Sequence, residues 1–301
     1  MKRNKTYLSY SVAAFLFLLS GCDIFKNSPE DDISPGIINY KIVDAEADWA
    51  PEDERIAYTH FDSGGVWNLY IINSDGTENR FFHTGNAYKP VWSPDGNWIA
   101  FKQFGQILKK NVQSDSLVQV TNSPGNNHSH SWSPDGRYIA FTKSVASENM
   151  RSGVWITDEE GEETFIVHGV DPQWISNEDI LYRTSLRDEG GNLLASVLTS
   201  INIYSLTRTE IAFFENYNLG SYLQHCRATN QFLFNGVSEN AILSSFILNL
   251  DTKNIEVLKE YSEDANWSAD CKSIVYTNND PENGFLWIVD GQGKTTQLTN
   301  N

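Results

Sequence analysis

One stretch of eleven residues occurs twice in this chain, as VWSPDGNWIAF at residues 91–101 and as SWSPDGRYIAF at residues 131–141. Each copy has a Trp, the turn Ser-Pro-Asp-Gly, and an apolar segment that ends in an aromatic residue. Weaker copies begin at residues 49, 174, 226 and 267. Six units of about forty residues indicate a repeat architecture, in which each unit is one supersecondary structure.

The second half of each unit reads as a β-hairpin. Segments such as LYIINSDGTENRFF and LWIVDGQGKTTQL alternate apolar and polar residues on both sides of a short polar turn. In the Ser-Pro-Asp-Gly turn, Pro fixes φ, Asp can accept bonds from nearby amides, and Gly adopts a positive φ. We therefore assign Asp95 and Asp135 to turn structure rather than to ligand binding. Four short strands per unit predict a β-propeller.

The repeated WSPDG turns, the IAF strands and the hairpins that follow them resemble the TolB-type propeller, also called WD40-like or PD40 repeats. The resemblance implies an all-β, six-bladed propeller of four-stranded antiparallel blades, which we expect over residues 37–301. TolB itself carries an α/β domain before its propeller. The segment between Cys22 and Trp49 is too short for that domain, so we do not expect a direct role in the Tol system.

The N-terminus has the pattern of an export signal. Basic residues are followed by an apolar run too short for a membrane span and then by Leu-Ser-Gly-Cys, which resembles the lipobox of bacterial lipoproteins. We predict a signal peptide at residues 1–21, lipidation of Cys22, and a flexible polar tether at residues 22–36. The protein would then be anchored to a bacterial membrane, on its periplasmic or cell-surface side.

The charge balance limits the choice of partners. The formal net charge is −17, and no basic cluster occurs beyond the extreme N-terminus. Such a chain would be repelled by nucleic-acid phosphates, so we expect no nucleic-acid partner. We expect an envelope protein, a small molecule or an oligosaccharide as the partner, a membrane contact through the lipid, a monomeric state, and no cofactor.

Propeller geometry divides the connections between two faces. We call the four strands of each blade a, b, c and d in chain order. The a–b and c–d turns lie on one face, called the turn face. The d–a and b–c loops lie on the opposite face, called the loop face. The loop face varies more in sequence, as binding loops often do. Candidate binding residues on the loop face, most of them expected just before a strand a, are Glu46, Tyr88, Lys89, His128, His130, Asp171, Arg187, Tyr222, Asp264 and Asn266.

An enzyme is the competing interpretation. His128 and His130 are spaced to point to one side of a strand, and with Asp171 or Asp264 they could hold a metal ion. The chain would then be a glycan-acting lyase or hydrolase, since a pectate-type lyase resembles these repeats. That lyase has seven blades, however, and motifs for hydrolases, metalloproteases or phosphate-binding loops do not occur. We therefore favour a non-catalytic binding scaffold without a metal site.

Two cysteines replace motif residues in neighbouring units. Cys226 stands where the fifth unit would have Trp, and Cys271 stands where the sixth would have the turn Gly. Both should lie near the a–b ends of adjacent blades, where a disulfide is conceivable in an oxidising compartment. The alternative is two independent buried thiols.

Overall fold

The computed structural model describes residues 43–52, 54–146, 150–215, 219–220, 223–238, 242–279 and 284–300. These residues form six four-stranded antiparallel sheets, which confirms the predicted six-bladed propeller. Cys22 and residues 37–42 lie outside the described residues. Within the described part of the chain, no helix is long and apolar enough to cross a membrane.

Each blade is built from four consecutive strands. Blade one contains β1 (Val43–Trp49), β2 (Arg55–Phe61), β3 (Trp67–Asn73) and β4 (Arg80–His83). Blade two contains β5 (Ala87–Trp92), β6 (Trp98–Gln103), β7 (Gln106–Asn111) and β8 (Leu117–Gln119). Blade three contains β9 (Asn126–Trp132), β10 (Ile139–Ser144), β11 (Gly153–Thr157) and β12 (Glu163–Val167).

The second half of the ring repeats this order. Blade four contains β13 (Val170–Trp174), β14 (Asp179–Arg187), β15 (Leu193–Asn202) and β16 (Arg208–Glu215). Blade five contains β17 (Gln224–Cys226), β18 (Gln231–Val237), β19 (Leu243–Asn249) and β20 (Ile255–Glu260). Blade six contains β21 (Ser262–Trp267), β22 (Ile274–Asn278), β23 (Leu286–Val289) and β24 (Thr295–Gln297). The first strands of neighbouring blades contact one another around the ring, so they line its centre.

The Ser-Pro-Asp-Gly turns have the structure that their sequence predicts. In blade two, Gly96 has φ 66° and donates its amide to the Ser93 carbonyl (2.9 Å). The Asp95 carboxylate accepts bonds from the Ser93 hydroxyl (2.5 Å) and the Asn97 amide (3.1 Å). Asp135 makes the same bonds in blade three. These carboxylates are occupied by their own turns.

The repeated Trp fills the space between adjacent blades. Trp92 of blade two packs on Leu69 and Ile71 of blade one, and Trp174 of blade four packs on Val154 and Ile156 of blade three. Trp174 is 1% exposed. Burying an indole contributes several kcal/mol, because aromatic side chains remove a large apolar area from water. Trp92 and Trp174 thus hold their blades to the preceding ones.

Blades five and six are joined covalently. Cys226 ends β17 at the position of the missing Trp, and Cys271 occupies the turn Gly position with φ 58°. The structure links them by a disulfide with 6.0 Å between the Cα atoms. In this structure the two cysteines are therefore bridged rather than independent thiols.

In the described ranges, the ring closes between blade six and blade one without a sheet that both blades share. The Asp44 amide donates to the Gly284 carbonyl (3.1 Å), and the Asn266 amide group donates to the Asp48 carboxylate (2.5 Å). Trp49 packs against Val275 and Leu286 of blade six. Side-chain packing and these bonds close the ring.

Candidate functional site

A β-bulge recurs in the innermost strand of five blades. The strand register shifts there in β1, β5, β9, β13 and β21, whereas β17 pairs with its neighbour without a shift. The bulge residue lies three positions before the end of the strand and has φ between 50° and 57°. These bulge residues are Glu46, Lys89, Ser129, Asp171 and Asp264. The candidates that we expected just before the strands thus lie within them.

Bonds from the preceding blade hold two of these strained positions. A residue other than Gly at positive φ costs about 1–2 kcal/mol. The Lys89 amide donates to the Thr59 hydroxyl (3.1 Å) and to the Glu46 carboxylate (2.7 Å). Similarly, the Asp171 amide donates to the Thr142 hydroxyl (2.9 Å). Non-Gly residues in this region are often found at functional sites.

A cavity of about 430 Å³ lies at the centre of the loop face. Its walls are formed by the first residues and bulges of strands a and by one residue each from the strands β6 and β14. The lining residues are Glu46, Tyr88, Lys89, Lys102, Asn126, His128, Ser129, Val170, Asp171 and Arg183. Three cations and two carboxylates therefore meet in one cavity of a chain whose net charge is −17.

Most of the charge in the cavity is internally balanced. Arg183 donates to one oxygen of the Asp171 carboxylate through Nε (3.1 Å) and Nη2 (2.7 Å). Burial alone would raise the pKa of Asp171, but the charges of Arg183 and Lys89 together with hydrogen bonds lower it below its usual value. Burial lowers the pKa of Lys89, against the attraction of Asp171, Glu46 and Asp264. Asp171 and Arg183 thus form an ion pair in the wall of the cavity.

Lys102 and His128 occupy the side of the cavity formed by blades two and three. The Lys102 ammonium lies 5.1 Å from the centre of the Tyr88 ring. Burial and the charge of Lys102 lower the pKa of His128 to about 4, so its imidazole is neutral at pH 7. His128 contacts the hydroxyls of Ser129 and Ser144, each at 3.1 Å. This side of the cavity carries positive charge.

The structure places five of the predicted candidates together. Glu46, Tyr88, Lys89, His128 and Asp171 all line the cavity.

The remaining candidates lie elsewhere or are not described. Asp264 is 6% exposed at the bulge of blade six, where burial and then the charges of Glu263 and Glu46 raise its pKa well above the usual value. Asn266 is bonded to Asp48 inside the ring. Arg187 lies at the exposed end of β14 and donates to the Gly191 carbonyl (2.9 Å). Tyr222 lies outside the described residues.

The expected pairing of His128 and His130 is corrected by the bulge at Ser129. The extra residue breaks the alternation of the strand, so the two side chains do not line the cavity together. His130 is 3% exposed, and burial lowers its pKa to about 3. Across the described ranges, no three His, Cys, Asp or Glu side chains are grouped as a metal site requires.

Lys102 and Arg183 were not among the candidates singled out from the sequence. Both directly follow the aromatic residue that ends the repeated motif on strand b. The equivalent residues of all six blades are polar: Thr59, Lys102, Thr142, Arg183, Asn235 and Thr277. Since β6 and β14 run towards the loop face, this position meets the bulges of strands a. A polar residue at the end of an otherwise apolar strand segment is the sequence signal that could have indicated this position.

Comparisons with known proteins give the family and the fold. A family model for the TolB β-propeller domain, PD40, matches residues 66–301. TolB from Acinetobacter baumannii has a TM-score of 0.65 at 17% identity, and the match covers 86% of this chain and 63% of that one. A putative TolB from Agrobacterium tumefaciens has a TM-score of 0.63 at 16% identity, with 77% and 88% covered.

An oligogalacturonate lyase in complex with manganese has a TM-score of 0.54 at 11% identity, with 86% of this chain and 78% of that one covered. No relative was found among curated proteins. These identities are low, so the three structures share the fold with this chain and nothing finer follows from them. The chain spans under two thirds of the length of the Acinetobacter TolB.

Proposed function

Because the chain belongs to the TolB β-propeller family, we propose that it is a non-catalytic binding scaffold of the bacterial cell envelope. It holds an envelope protein or another ligand on the loop face. The observation that carries this proposal is the central cavity, where bulges in successive blades place the charged residues Glu46, Lys89 and Asp171 in the cavity wall. A rigid ring with a strained polar centre is a pre-organised surface for binding.

The side-chain arrangement supports binding rather than hydrolysis or lyase chemistry. A general base needs a group free to take a proton near neutral pH. The Asp171 carboxylate is held by Arg183, and the Glu46 carboxylate accepts bonds from the Thr59 hydroxyl (2.9 Å) and the Lys89 amide. A His128 with a pKa of about 4 is a weak base. Asp171, Glu46 and His128 therefore position charge more readily than they transfer protons.

Capture of a partner tests the binding face. We would express the full chain, cross-link it in membranes, and compare the wild type with the triple variant Tyr88→Ala, Lys102→Ala and His128→Ala. The variant should keep the melting temperature of the wild type. The amount of cross-linked partner recovered with it should fall about tenfold or more, since truncating a few central interface residues removes most of the binding energy. Undiminished capture by a folded variant would place the binding surface elsewhere.

A triple variant on the turn face is the matched control. Asn97→Ala, Arg137→Ala and Tyr204→Ala remove a similar set of polar, cationic and aromatic groups. Arg137 and Tyr204 are bonded to each other (3.1 Å) in exposed turns of blades three and four. This variant should capture the partner as the wild type does. Equal losses in both variants would contradict a specific role for the loop face.

The envelope location rests on the proposed lipid anchor. Leu19-Ser20-Gly21-Cys22 is the sequence that supports it. Cys22→Ser should remain unprocessed or leave the membrane fraction, and it should not incorporate labelled fatty acid. Fractionation and labelling identical to those of the wild type would refute the anchor, while the propeller and its binding face would be unaffected.

A further inference from the structure

An exposed Phe stands at the edge of the central cavity. Gln103 and Gln106 are paired at the end of a two-residue hairpin loop, Phe104–Gly105, with φ of 50° and 77°. This backbone favours Asn-Gly, and a Phe at its first position is strained. Phe104 is also 79% exposed, the highest value among the large apolar side chains of the described residues. Neither local structure nor packing accounts for it.

The loop that carries Phe104 is fixed beside the cavity. Gln103 donates through Nε2 to the carbonyls of Thr84 (3.0 Å) and Gly85 (2.9 Å). The Asn127 amide donates to the Gly105 carbonyl (2.9 Å), which keeps the loop against strand β9 next to the cavity. The loop backbone is therefore held in place, and the Phe104 side chain is exposed to solvent.

The same strand brings a cation into the cavity. Lys102 lines the cavity two residues before Phe104, and its ammonium contacts the face of Tyr88. In the part of the chain that the structure describes, no carboxylate lies within ion-pair distance of the Lys102 ammonium. An aromatic face stabilises a cation by only about 0.5–1 kcal/mol at exposed sites, so a negatively charged ligand would bind it more strongly.

Apolar side chains continue beyond the cavity on other b–c hairpins. In blade four Leu186 and Leu194 are 47% and 48% exposed, and in blade five Val237 and Leu243 are 49% and 39% exposed. A small polar acid would fill only the cavity. A polypeptide can contact both the charged centre and apolar side chains, which favours it as the ligand.

We propose that the loop face binds the carboxyl-terminal end of a polypeptide, with its carboxylate at Lys102 and an apolar side chain of its last residues on Phe104. This inference rests on the proposed function, because it names the chemistry that the binding face recognises. The Glu46 and Asp171 carboxylates in the same cavity repel a doubly charged phosphate more strongly than a singly charged carboxylate. A ligand group with one negative charge therefore suits the Lys102 side of the cavity.

Peptide binding to the purified full chain tests this inference. The probe is a pool of fluorescein-labelled hexapeptides that end in Leu or Phe and vary at other positions, made once with a free carboxylate and once with a carboxamide. Fluorescence anisotropy should show at least tenfold tighter binding of the carboxylate pool. Lys102→Met and Phe104→Asn should each weaken its binding about tenfold or more. Phe104→Asn should also keep or raise the melting temperature, because Asn suits the turn.

Two variants serve as matched controls. Lys109 is another cation over aromatic rings, 5.2 Å from the centre of the Trp98 ring, but it does not line the cavity. Leu206 is another apolar residue at positive φ, 55°, and is 53% exposed in a turn-face connection of blade four. Lys109→Met and Leu206→Asn should bind the carboxylate pool like the wild type. Equal weakening in the controls would overturn the assignment of the site.

Three other results would overturn the inference. The first is equal binding of the carboxylate and carboxamide pools, and the second is no binding of either pool. The third is displacement of the peptides by glucuronate at equal concentration, which would identify a small acid as the source of the carboxylate. If the loop-face triple variant loses its cross-linked partner while the peptide assay shows one of these results, the proposed function stands and this inference fails.

Discussion

Asp48 should make the stability of the ring depend on pH. It is buried in β1, where one carboxylate oxygen accepts from Asn266 of blade six (2.5 Å) and the other from the Trp92 amide of blade two (2.7 Å). Burial raises its pKa from 3.8 to about 7, although these two hydrogen bonds and the charge of Lys89 act in the opposite direction. One carboxyl group therefore connects the first, second and last blades.

The sign of the effect follows from where the proton is held. Between pH 4 and pH 7 the folded protein keeps the Asp48 proton, while the unfolded chain has lost it. The unfolding free energy contributed by this group is therefore highest below pH 4 and falls as the pH rises to 7. A pKa that rises from 3.8 to about 7 corresponds to a change of about 4 kcal/mol across this window.

Asp48→Asn isolates this contribution. The Asn side chain has nearly the same shape as Asp and does not titrate. The unfolding free energy of the variant should therefore lack the pH dependence that Asp48 contributes, and it should be lower by about the value of one hydrogen bond at every pH. Urea unfolding of both proteins from pH 4 to pH 8 gives the difference in unfolding free energy. Asp264 and Glu263 also have raised pKa values, but they are present in both proteins and largely cancel in the difference.

The variant should be most destabilised relative to the wild type near pH 4 and should approach or exceed it in stability at pH 8. Parallel stability curves across the whole range would refute the argument, because they would mean that Asp48 has the same pKa in the folded and unfolded chains. A difference that grows with pH would reverse the sign and would mean that the hydrogen bonds from Asn266 and Trp92 outweigh the burial.

Three further changes test the packing of the blades. Trp174→Ala should lower the unfolding free energy by about 3–5 kcal/mol in urea titrations, the range for large-to-Ala changes in a core, and a loss below 1 kcal/mol would exclude the wedge role. Asp95→Asn should cost about 1 kcal/mol through its turn bonds, without change in partner capture. The double change of Cys226 and Cys271 to Ser opens a loop of 45 residues and should cost about 4 kcal/mol. Labelling of two free thiols in the unfolded, unreduced wild type would contradict that bridge.

The architecture could be predicted because the blades repeat one sequence motif that specifies a turn and the strand after it. Trp92 and Trp132 each precede a turn whose Pro, Asp and Gly specify its backbone, and the strand that follows is apolar. Local propensity and long-range packing therefore agree. Even the decayed copies that begin at Trp49 and Trp267 keep the spacing from Trp to aromatic residue.

The site was harder to predict because its geometry depends on contacts between blades. Nothing local marks Lys89 or Asp171 for a positive φ, since bonds to the preceding blade hold the two residues there. The bulges also invalidated the alternation argument for His128 and His130. Phe104 contradicts the preference of its own turn, and such conflicts are expected where function rather than stability has shaped the sequence.

The way in which the ring closes has a consequence for the order of the blades. Among the described residues, no sheet combines strands of the first and last blades, since β1 to β4 and β21 to β24 each form a four-stranded sheet from consecutive segments. A circular permutant that is opened between two other blades and joined between blade six and blade one would keep all the strand pairings and blade interfaces that the described residues form. Over the part of the chain that the structure describes, the six blades thus form a cycle in which no strand pairing determines which blade comes first.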